Sequence, residues 1–553
     1  MKIKTLFYLL VILFIVSCTN EEQPVSELSS VQTPVATSDS GDMIVLGEKF
    51  DNPYSVENMR SVYNEMVQTR SDAENITIDV TDWYVRFLPK DSAEYKLLTE
   101  ELDLELFDYP LDHDVLTEGT GYHDPSIPEG QITWQYTTVK PGFQFPSSVK
   151  YEVLDECFIP RDEDTGTDSD DANAETRSQE ADFMGELEYR ALEKVGYIRC
   201  LEKKGLIPAG TRGLFSFLSG SKPKGYIKVY DTSLKQDVPV KGIKVRATSL
   251  VKWTSAYTNE EGYYKMNSKH YWGPLYSVSF DNKLGFDVWG YTGPLTGCAI
   301  YIMGFHNKKG YDKTFGASSS AWEWATVNNA AYDWYSKCQS NSDYPTCPTT
   351  NNLKIWVWKD AKDGSASMIR RVYHPIGVNS NSGWSNFLTN MIVGTNLTLW
   401  KSIFHFALPD ITIGTKGKTS AGIYEQVSHE LAHASHFQKV GSAYWAKYIS
   451  YVITYGAYGD GTGNNAGICA VGEMWGYAMG NLACYEKYGY NPKVGKEYWF
   501  YKNPTLYNLI IKKVLTRKEI FDCMTSDVKS TEEFKQKLIC KYPKKAIEIT
   551  NEF

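Results

Sequence analysis

A cluster of histidines in an apolar segment constrains this chain more than any other feature of its sequence. Three of its nine histidines, His429, His433 and His436, fall within one short stretch, and Glu430 follows the first of them. The neighbouring leucine and alanines are typical of a buried helix. Residues four apart in a helix share one face, one turn apart. His429 and His433 can therefore direct two imidazole rings at one point.

Two neutral imidazoles at this spacing commonly bind a metal ion such as Zn²⁺. Glu430 projects beside the same face, where its carboxylate can take a proton from a water molecule and pass it to a leaving amine. Solvent-exposed histidines are the alternative, which the apolar neighbours disfavour. Thr419 or Ser420 can cap the helix. The residues predict a zinc-dependent hydrolytic site on this helix.

A catalytic zinc site needs a third protein ligand, and we expect it to be Glu473. Residues 466–480 have the length of a helix and are almost entirely apolar, so a carboxylate without a partner would be costly there. Pairing with a buried lysine or with tyrosine hydroxyls is the alternative. His436 lies two turns from His429, too far to share its ion, and we expect it to have a supporting or core role.

The HELAH sequence at residues 429–433, followed forty residues later by Glu473 in a Glu-x-Trp-Gly-Tyr context, resembles the gluzincin metallopeptidases. The resemblance implies a zincin-like catalytic domain over residues 309–553, a zinc cofactor and a peptide or protein substrate. It also implies an edge strand above the active helix, for which we expect residues 406–414. Tyr477 and Tyr458 are the candidates for stabilising the oxyanion.

One part of the gluzincin pattern is missing from the sequence. The thermolysin-like Asn-Glu-x-x-x-Asp arrangement around the third ligand is absent, because Gly472 precedes Glu473 and Tyr477 stands where that arrangement has Asp. The resemblance therefore indicates the broad class of metallopeptidase rather than a named family within it.

The first eighteen residues resemble the export signal of a bacterial lipoprotein. An apolar run over residues 6–16 follows two lysines and is too short for a permanent transmembrane helix. Ser17-Cys18 resembles a lipobox, which implies acylation of Cys18, attachment to a membrane and a place in the bacterial cell envelope. We expect that place to be the outer membrane, with exposure on its surface as a further expectation. A secretory signal that contains a cysteine is the alternative. Residues 19–43 predict a flexible tether.

The remaining chain predicts a multidomain α+β protein, since 553 residues exceed what one core usually holds. Residues 44–210 predict an N-terminal α+β domain, without evident chemistry, that could be a pro-segment or a docking module. Its segment 161–182 is dense in Asp, Glu, Ser and Thr. This composition predicts a disordered acidic loop, with a calcium-binding loop as the alternative.

Residues 224–286 alternate with a period of two, which predicts a β-sandwich domain over residues 213–305. Within them, residues 239–245 and 258–264 resemble the carboxypeptidase regulatory-like domain. That resemblance implies an accessory sandwich without catalysis of its own.

Together these features predict a lipid-anchored zinc metallopeptidase with Glu430 as general base and acid. The alternative, from a different class, is a surface binding lipoprotein or adhesin whose zincin domain is inactive. Abundant Trp and Tyr motivate that alternative, and the intact Glu430 argues against it. Hydrolysis of a non-peptide amide would use the same site. A net charge of −10 gives no reason to expect a nucleic-acid partner, and the sequence leaves the oligomeric state open.

Overall fold

The structure is a computed structural model that describes residues 43–69, 76–128, 131–161, 174–207, 220–290, 298–366, 368, 371–372, 409–455, 459–489 and 504–553. Cys18, the signal peptide, nearly all of the tether and Tyr458 lie outside the described residues. The fold is mixed α+β with several sheets, as the sequence predicts. Among the described helices, none is both long and apolar enough to cross a bilayer.

The N-terminal part contains a small antiparallel sheet flanked by helices. Its elements are β1 (Leu46–Lys49), α1 (Val56–Thr69), β2 (Asp82–Leu88), α2 (Ser92–Lys96) with a π-helical turn (Leu97–Glu101), β3 (His113–Val115), β4 (Gln135–Val139), β5 (Lys150–Cys157), α3 (Ala174–Lys194) and α4 (Tyr197–Lys203). The strand order is β4-β2-β5. Met59 and Val62 of α1 pack with Phe183 and Leu187 of α3, which holds the two helices together.

Helix α3 begins inside the segment that the sequence predicts to be a disordered loop. It starts at Ala174, so the prediction is wrong for residues 174–182, while residues 162–173 lie outside the described part of the chain. The reason is composition. Residues 174–182 combine charged residues with two alanines, and Ala, Glu, Gln and Arg are all good helix formers.

Two sheets form the middle of the chain. Their strands are β6 (Lys224–Asp231), β7 (Gln236–Pro239), β8 (Ile243–Ser249), β9 (Lys252–Tyr257), β10 (Tyr263–Lys265), β11 (Leu275–Asn282), β12 (Phe286–Trp289), β13 (Ile300–Phe305) and β14 (Lys313–Phe315). The small sheet has the order β10-β6-β14, with β7 beside β6. Ile227 of the small sheet and Val245 of the large one belong to the same apolar core, as expected of a sandwich.

The large sheet continues into the C-terminal part. Strands β15 (Leu353–Trp358) and β16 (Ile411–Gly414) extend it in the order β16-β15-β12-β11-β8-β9, and β12, β15 and β16 run parallel. Val288 lies opposite Ile355, which lies opposite Ile411. The sequence suggests a domain boundary between residues 305 and 309. Residues on both sides of this boundary belong to one hydrophobic core.

Helices of the C-terminal part cover one face of the large sheet. They are α5 (Trp322–Ser340), α6 (Ser420–Val440), α7 (Ser442–Tyr455), α8 (Ala466–Tyr488), α9 (Thr505–Ile511), α10 (Arg517–Cys523), α11 (Thr531–Lys541) and α12 (Ala546–Glu552). Helix α5 contacts β11 and β12, and α6 contacts β16, α5 and α8. Thr419 caps α6, since its side chain accepts a hydrogen bond from the Gly422 N–H.

Strand β16 is the last strand in the order of the large sheet, so residues 411–414, the described part of the predicted edge strand over residues 406–414, lie at the sheet edge. Thr412 donates its N–H to Ser365 O over 2.8 Å and accepts from Ser365 N over 3.0 Å, while Lys416 N donates to Ala361 O. Residues 361–366 therefore lie antiparallel beside β16, joined to it by an isolated bridge between Ser365 and Thr412 rather than as a strand of the sheet. Their sequence, Ala-Lys-Asp-Gly-Ser-Ala, has no apolar alternation and does not predict this contact.

Candidate metal site

Helices α6 and α8 carry the predicted site residues and lie unusually close together. Gly472, Gly476 and Gly480 are four residues apart and therefore share one face of α8. A Cβ atom on Gly480 would come within 2.8 Å of the Glu425 carbonyl oxygen on α6. Any larger residue there would push the helices apart. The glycines thus allow side chains of the two helices to meet at short range.

The structure brings His429, His433 and Glu473 together. The Nε2 atoms of the two histidines lie 3.0 Å apart, and Glu473 oxygens lie 3.5 Å from His429 Nε2 and 3.4 Å from His433 Nε2. Two imidazole nitrogens this close need a proton or a cation between them, because two lone pairs would otherwise face each other. These three side chains could hold a metal ion. Within the described residues they are the only such group found.

Gly476 leaves the space beside the two imidazoles open. A Cβ atom at this position would lie 2.8 Å from His429 Nε2 and 2.9 Å from His433 Nε2. Even the smallest side chain would therefore occupy the volume in front of the ligand nitrogens. This open cradle fits an ion held between α6 and α8.

The site is buried, which shapes its electrostatics. Glu473 and Glu430 are fully buried, and His429 is the most exposed of the ligands at 8%. Burial raises the pKa of Glu473, but the neighbouring His433 and His429 outweigh burial and lower it overall. Burial lowers the pKa of His433 to about 4. A carboxylate and a neutral His433 are the protonation states that a metal ion requires.

Tyr448 on α7 holds the carboxylate ligand in place. Its hydroxyl donates a short hydrogen bond to Glu473 Oε1. Tyr448 is buried, and its ring packs against Trp445 at a centroid distance of 4.7 Å. Pairing of Glu473 with a tyrosine hydroxyl is the alternative that the sequence leaves open, but the sequence favours Tyr477 and Tyr458 as functional tyrosines and does not single out Tyr448. A tyrosine–carboxylate contact between separate helices leaves no local pattern in a sequence.

Glu430 and Tyr477 flank the three candidate ligands. Burial alone would lower the pKa of His429. The hydrogen bond with Glu473 and, to a smaller extent, the charge of Glu430 outweigh burial and raise that pKa. The Tyr477 ring lies 5.1 Å from the His429 ring, in an edge-on orientation, and is half-buried. The backbone at Gly364 passes over Glu430, since a Cβ there would lie 3.1 Å from Glu430 Oε1.

His436 lies apart from the three candidate ligands, as expected. It is fully buried and packs edge-on against Tyr444 and Trp445. Neither of its ring nitrogens, nor the Nδ1 of His433, has a hydrogen-bond partner among the described residues. Burial lowers the pKa of His436 to about 3, so the ring is neutral. His436 therefore belongs to the core beneath the site.

Comparison with known proteins adds no family assignment. No protein-family model matches the chain, and no curated protein is significantly similar to it.

Proposed function

We propose that this chain is a zinc-dependent metallopeptidase. The observation that supports the proposal most is the meeting of His429, His433 and Glu473 around one open point, with Glu430 on the adjacent position of the same helix. Two imidazoles and one carboxylate are a known ligand set of catalytic zinc, which keeps a further position for water or substrate.

Zinc fits the donor atoms better than the common alternatives. A tetrahedral zinc site with bonds of about 2.0–2.1 Å has neighbouring ligand atoms about 3.3 Å apart. The three distances here are 3.0, 3.4 and 3.5 Å. Calcium and magnesium prefer ligand sets made of oxygen, so the paired imidazoles disfavour both.

In the proposed mechanism His429, His433 and Glu473 would hold zinc, which when bound would polarise the peptide carbonyl and make a water molecule more acidic. Glu430 accepts the proton of the attacking water and delivers it to the leaving amine. Tyr448 fixes the Glu473 carboxylate through its hydroxyl group.

Tyr477 is our candidate for stabilising the charge that develops on the substrate oxygen. It is half-buried and flanks His429, the ligand with the greatest exposure. A phenol at this position can donate a hydrogen bond to an oxyanion. Tyr458 lies outside the described residues, so its predicted role stays a prediction.

We propose an extended peptide as the substrate. Residues 361–366 lie antiparallel beside the edge strand β16, with an isolated bridge between Ser365 and Thr412, and Gly364 lies directly over Glu430. A peptide that pairs with this segment would pass above the base, and backbone pairing recognises extended chains of many sequences. We also propose that the protein is attached to a membrane by a lipid on Cys18 and lies in the bacterial cell envelope.

The experiment that tests this function compares the wild type with Glu430→Gln. We expect both proteins to bind zinc and the variant to cleave a broad peptide library at least about 100-fold more slowly. Glu323→Gln serves as a control, since Glu323 is a largely buried helical glutamate on α5, away from the site. Full activity in Glu430→Gln would overturn the assigned role. A zinc-loaded wild type that cleaves no peptide would favour the inactive binding protein.

A further inference from the structure

A second cavity lies on the other face of the large sheet. Val245 and Val288 belong to the core that α5 and α6 cover, so their strand neighbours point the opposite way. Lys244, Arg246 and Trp289 line a cavity of about 320 Å³ on that face. Its opposite wall comes from residues 95–108 of the N-terminal part. The cavity is large enough for a small organic ligand and separate from the metal site.

The two walls of this cavity present hydrogen-bonding atoms that the protein leaves unused. Arg246 is only 5% exposed, and one end of its guanidinium pairs with Glu105. Its Nε has no hydrogen-bond partner within the described residues. From the opposite wall, Asp108 accepts the Tyr122 N–H over 2.8 Å with Oδ2. Its buried Oδ1 also has no partner there. The residues that carry this unused donor and this unused acceptor therefore line the same cavity.

The surroundings disfavour a positively charged ligand. Aromatic rings in the lining already have lysines over their faces. Lys354 Nζ lies 4.3 Å from the Trp289 ring centroid, and Lys244 Nζ lies 5.3 Å from that of Tyr257. A cationic ligand would have to displace these ammonium groups.

An anionic ligand is disfavoured as well. Lys244 already pairs with Glu105 at 3.0 Å and with Asp281 at 2.6 Å, and Arg246 pairs with Glu105. These two basic side chains are thus already paired with carboxylates, and Asp108 adds another acidic group to the lining. A further negative charge would meet these carboxylates.

We propose that this cavity binds a small neutral saccharide. Hydroxyl groups both donate and accept, so one sugar ring can hydrogen-bond to Arg246 Nε and Asp108 Oδ1 without bringing a charge. Tyr257, which is 40% exposed, marks the accessible side of the cavity. The occupant could be a free sugar or part of a larger glycan, since the recognised chemistry is the same.

The test uses three sugars with the same ring size and different charge. The full-length chain is titrated with N-acetylglucosamine, glucosamine and glucuronic acid at neutral pH. Binding is followed by calorimetry and by tryptophan fluorescence, to which Trp289 and Trp324 in the lining respond. We expect saturable binding of neutral N-acetylglucosamine and at least about tenfold weaker binding of both charged sugars, as expected if one desolvated charge costs more than 1.4 kcal/mol. Equal binding of all three, or no binding of any, would overturn the proposal.

Two variants locate the binding. Asp108→Asn replaces the unused acceptor by an amide, and we expect it to weaken binding of N-acetylglucosamine about tenfold. Asp124→Asn is the matched control, because Asp124 accepts local hydrogen bonds in the same part of the chain but does not line the cavity. If Asp108→Asn does not fold, Tyr257→Ala at the accessible side tests the same site. Undiminished binding in the folded cavity variant would contradict the proposal.

Discussion

A Cβ atom on Gly476 would lie 2.8 Å from the Nε2 atom of His429. The position of the glycine on α8 therefore keeps open the space that an ion between the two imidazoles needs. We predict that Gly476→Ala loses zinc while retaining its helical content, because the methyl group occupies the ion's place. Zinc per chain after dialysis, measured by mass spectrometry, checks this.

Gly422→Ala is the control for that substitution. Gly422 lies in the first turn of α6, and the nearest atom to an added Cβ is 3.7 Å away. We expect this variant to bind zinc normally and to gain up to about 1 kcal/mol of stability, since alanine favours helix more than glycine does. Equal zinc content in the Gly476→Ala and Gly422→Ala variants would mean that the space between Gly476 and the two imidazoles is not the metal site.

Removing the Tyr448 hydroxyl group should weaken the metal site without destroying it. We predict that Tyr448→Phe raises the zinc dissociation constant by about 10–100-fold, because Glu473 loses the hydrogen bond that orients it. Competition with a fluorescent chelator measures the constant. Tyr444→Phe removes another buried hydroxyl, which donates to Val528 O over 2.9 Å, and should leave zinc affinity unchanged. Similar effects in both variants would indicate a general loss of stability.

His436 provides a test of which histidines bind the ion. Its ring nitrogens have no hydrogen-bond partner among the described residues, and burying such groups is costly. We predict that His436→Leu keeps its zinc and unfolds at the same or a higher denaturant concentration, with a gain of about 1–2 kcal/mol at most. His433→Leu should lose zinc. A metal-free His436→Leu variant would show that His436 contributes to the site.

The sequence predicts the central part of this site because helix geometry is local. The spacing of His429 and His433 determines that they share a face, and the apolar surroundings of Glu473 indicate that its carboxylate needs a partner inside the protein. The glycine spacing at residues 472, 476 and 480 was a further readable signal for close helix packing.

Contacts between distant segments could not be predicted in this way. Tyr448 reaches Glu473 from another helix, and residues 361–366 pair with β16 across a long connection. The hydrophobic pattern of each segment does not predict which distant segment it contacts. The same reason explains why the sequence suggests separate domains on either side of residue 305, where strand pairing builds one continuous sheet.

Acid should destabilise the protein through His270. This residue is fully buried, and burial lowers its pKa to about 3. The unfolded chain, with a histidine pKa of about 6.5, binds the proton more readily, so stability falls as the pH decreases from about 6.5 towards 3. The loss from this group is about 1.4 kcal/mol per pH unit.

We expect His270→Gln to lose less stability than the wild type between pH 7 and pH 5, as measured by denaturant unfolding. Gln can keep the hydrogen bond to Ser249, which now joins Ser249 Oγ to His270 Nδ1 over 2.9 Å. His113→Gln removes a partly exposed histidine and is the control. Identical pH dependence in the wild type and His270→Gln would contradict this assignment.

The most direct test of the metal site is zinc X-ray absorption spectroscopy of the purified protein, together with its zinc content. The geometry predicts one zinc ion per chain, bound by two imidazole nitrogens and oxygen ligands, and its loss in His433→Ala. A protein that takes up no metal in zinc-containing buffer, or whose zinc spectrum is unchanged in His433→Ala, would contradict the account.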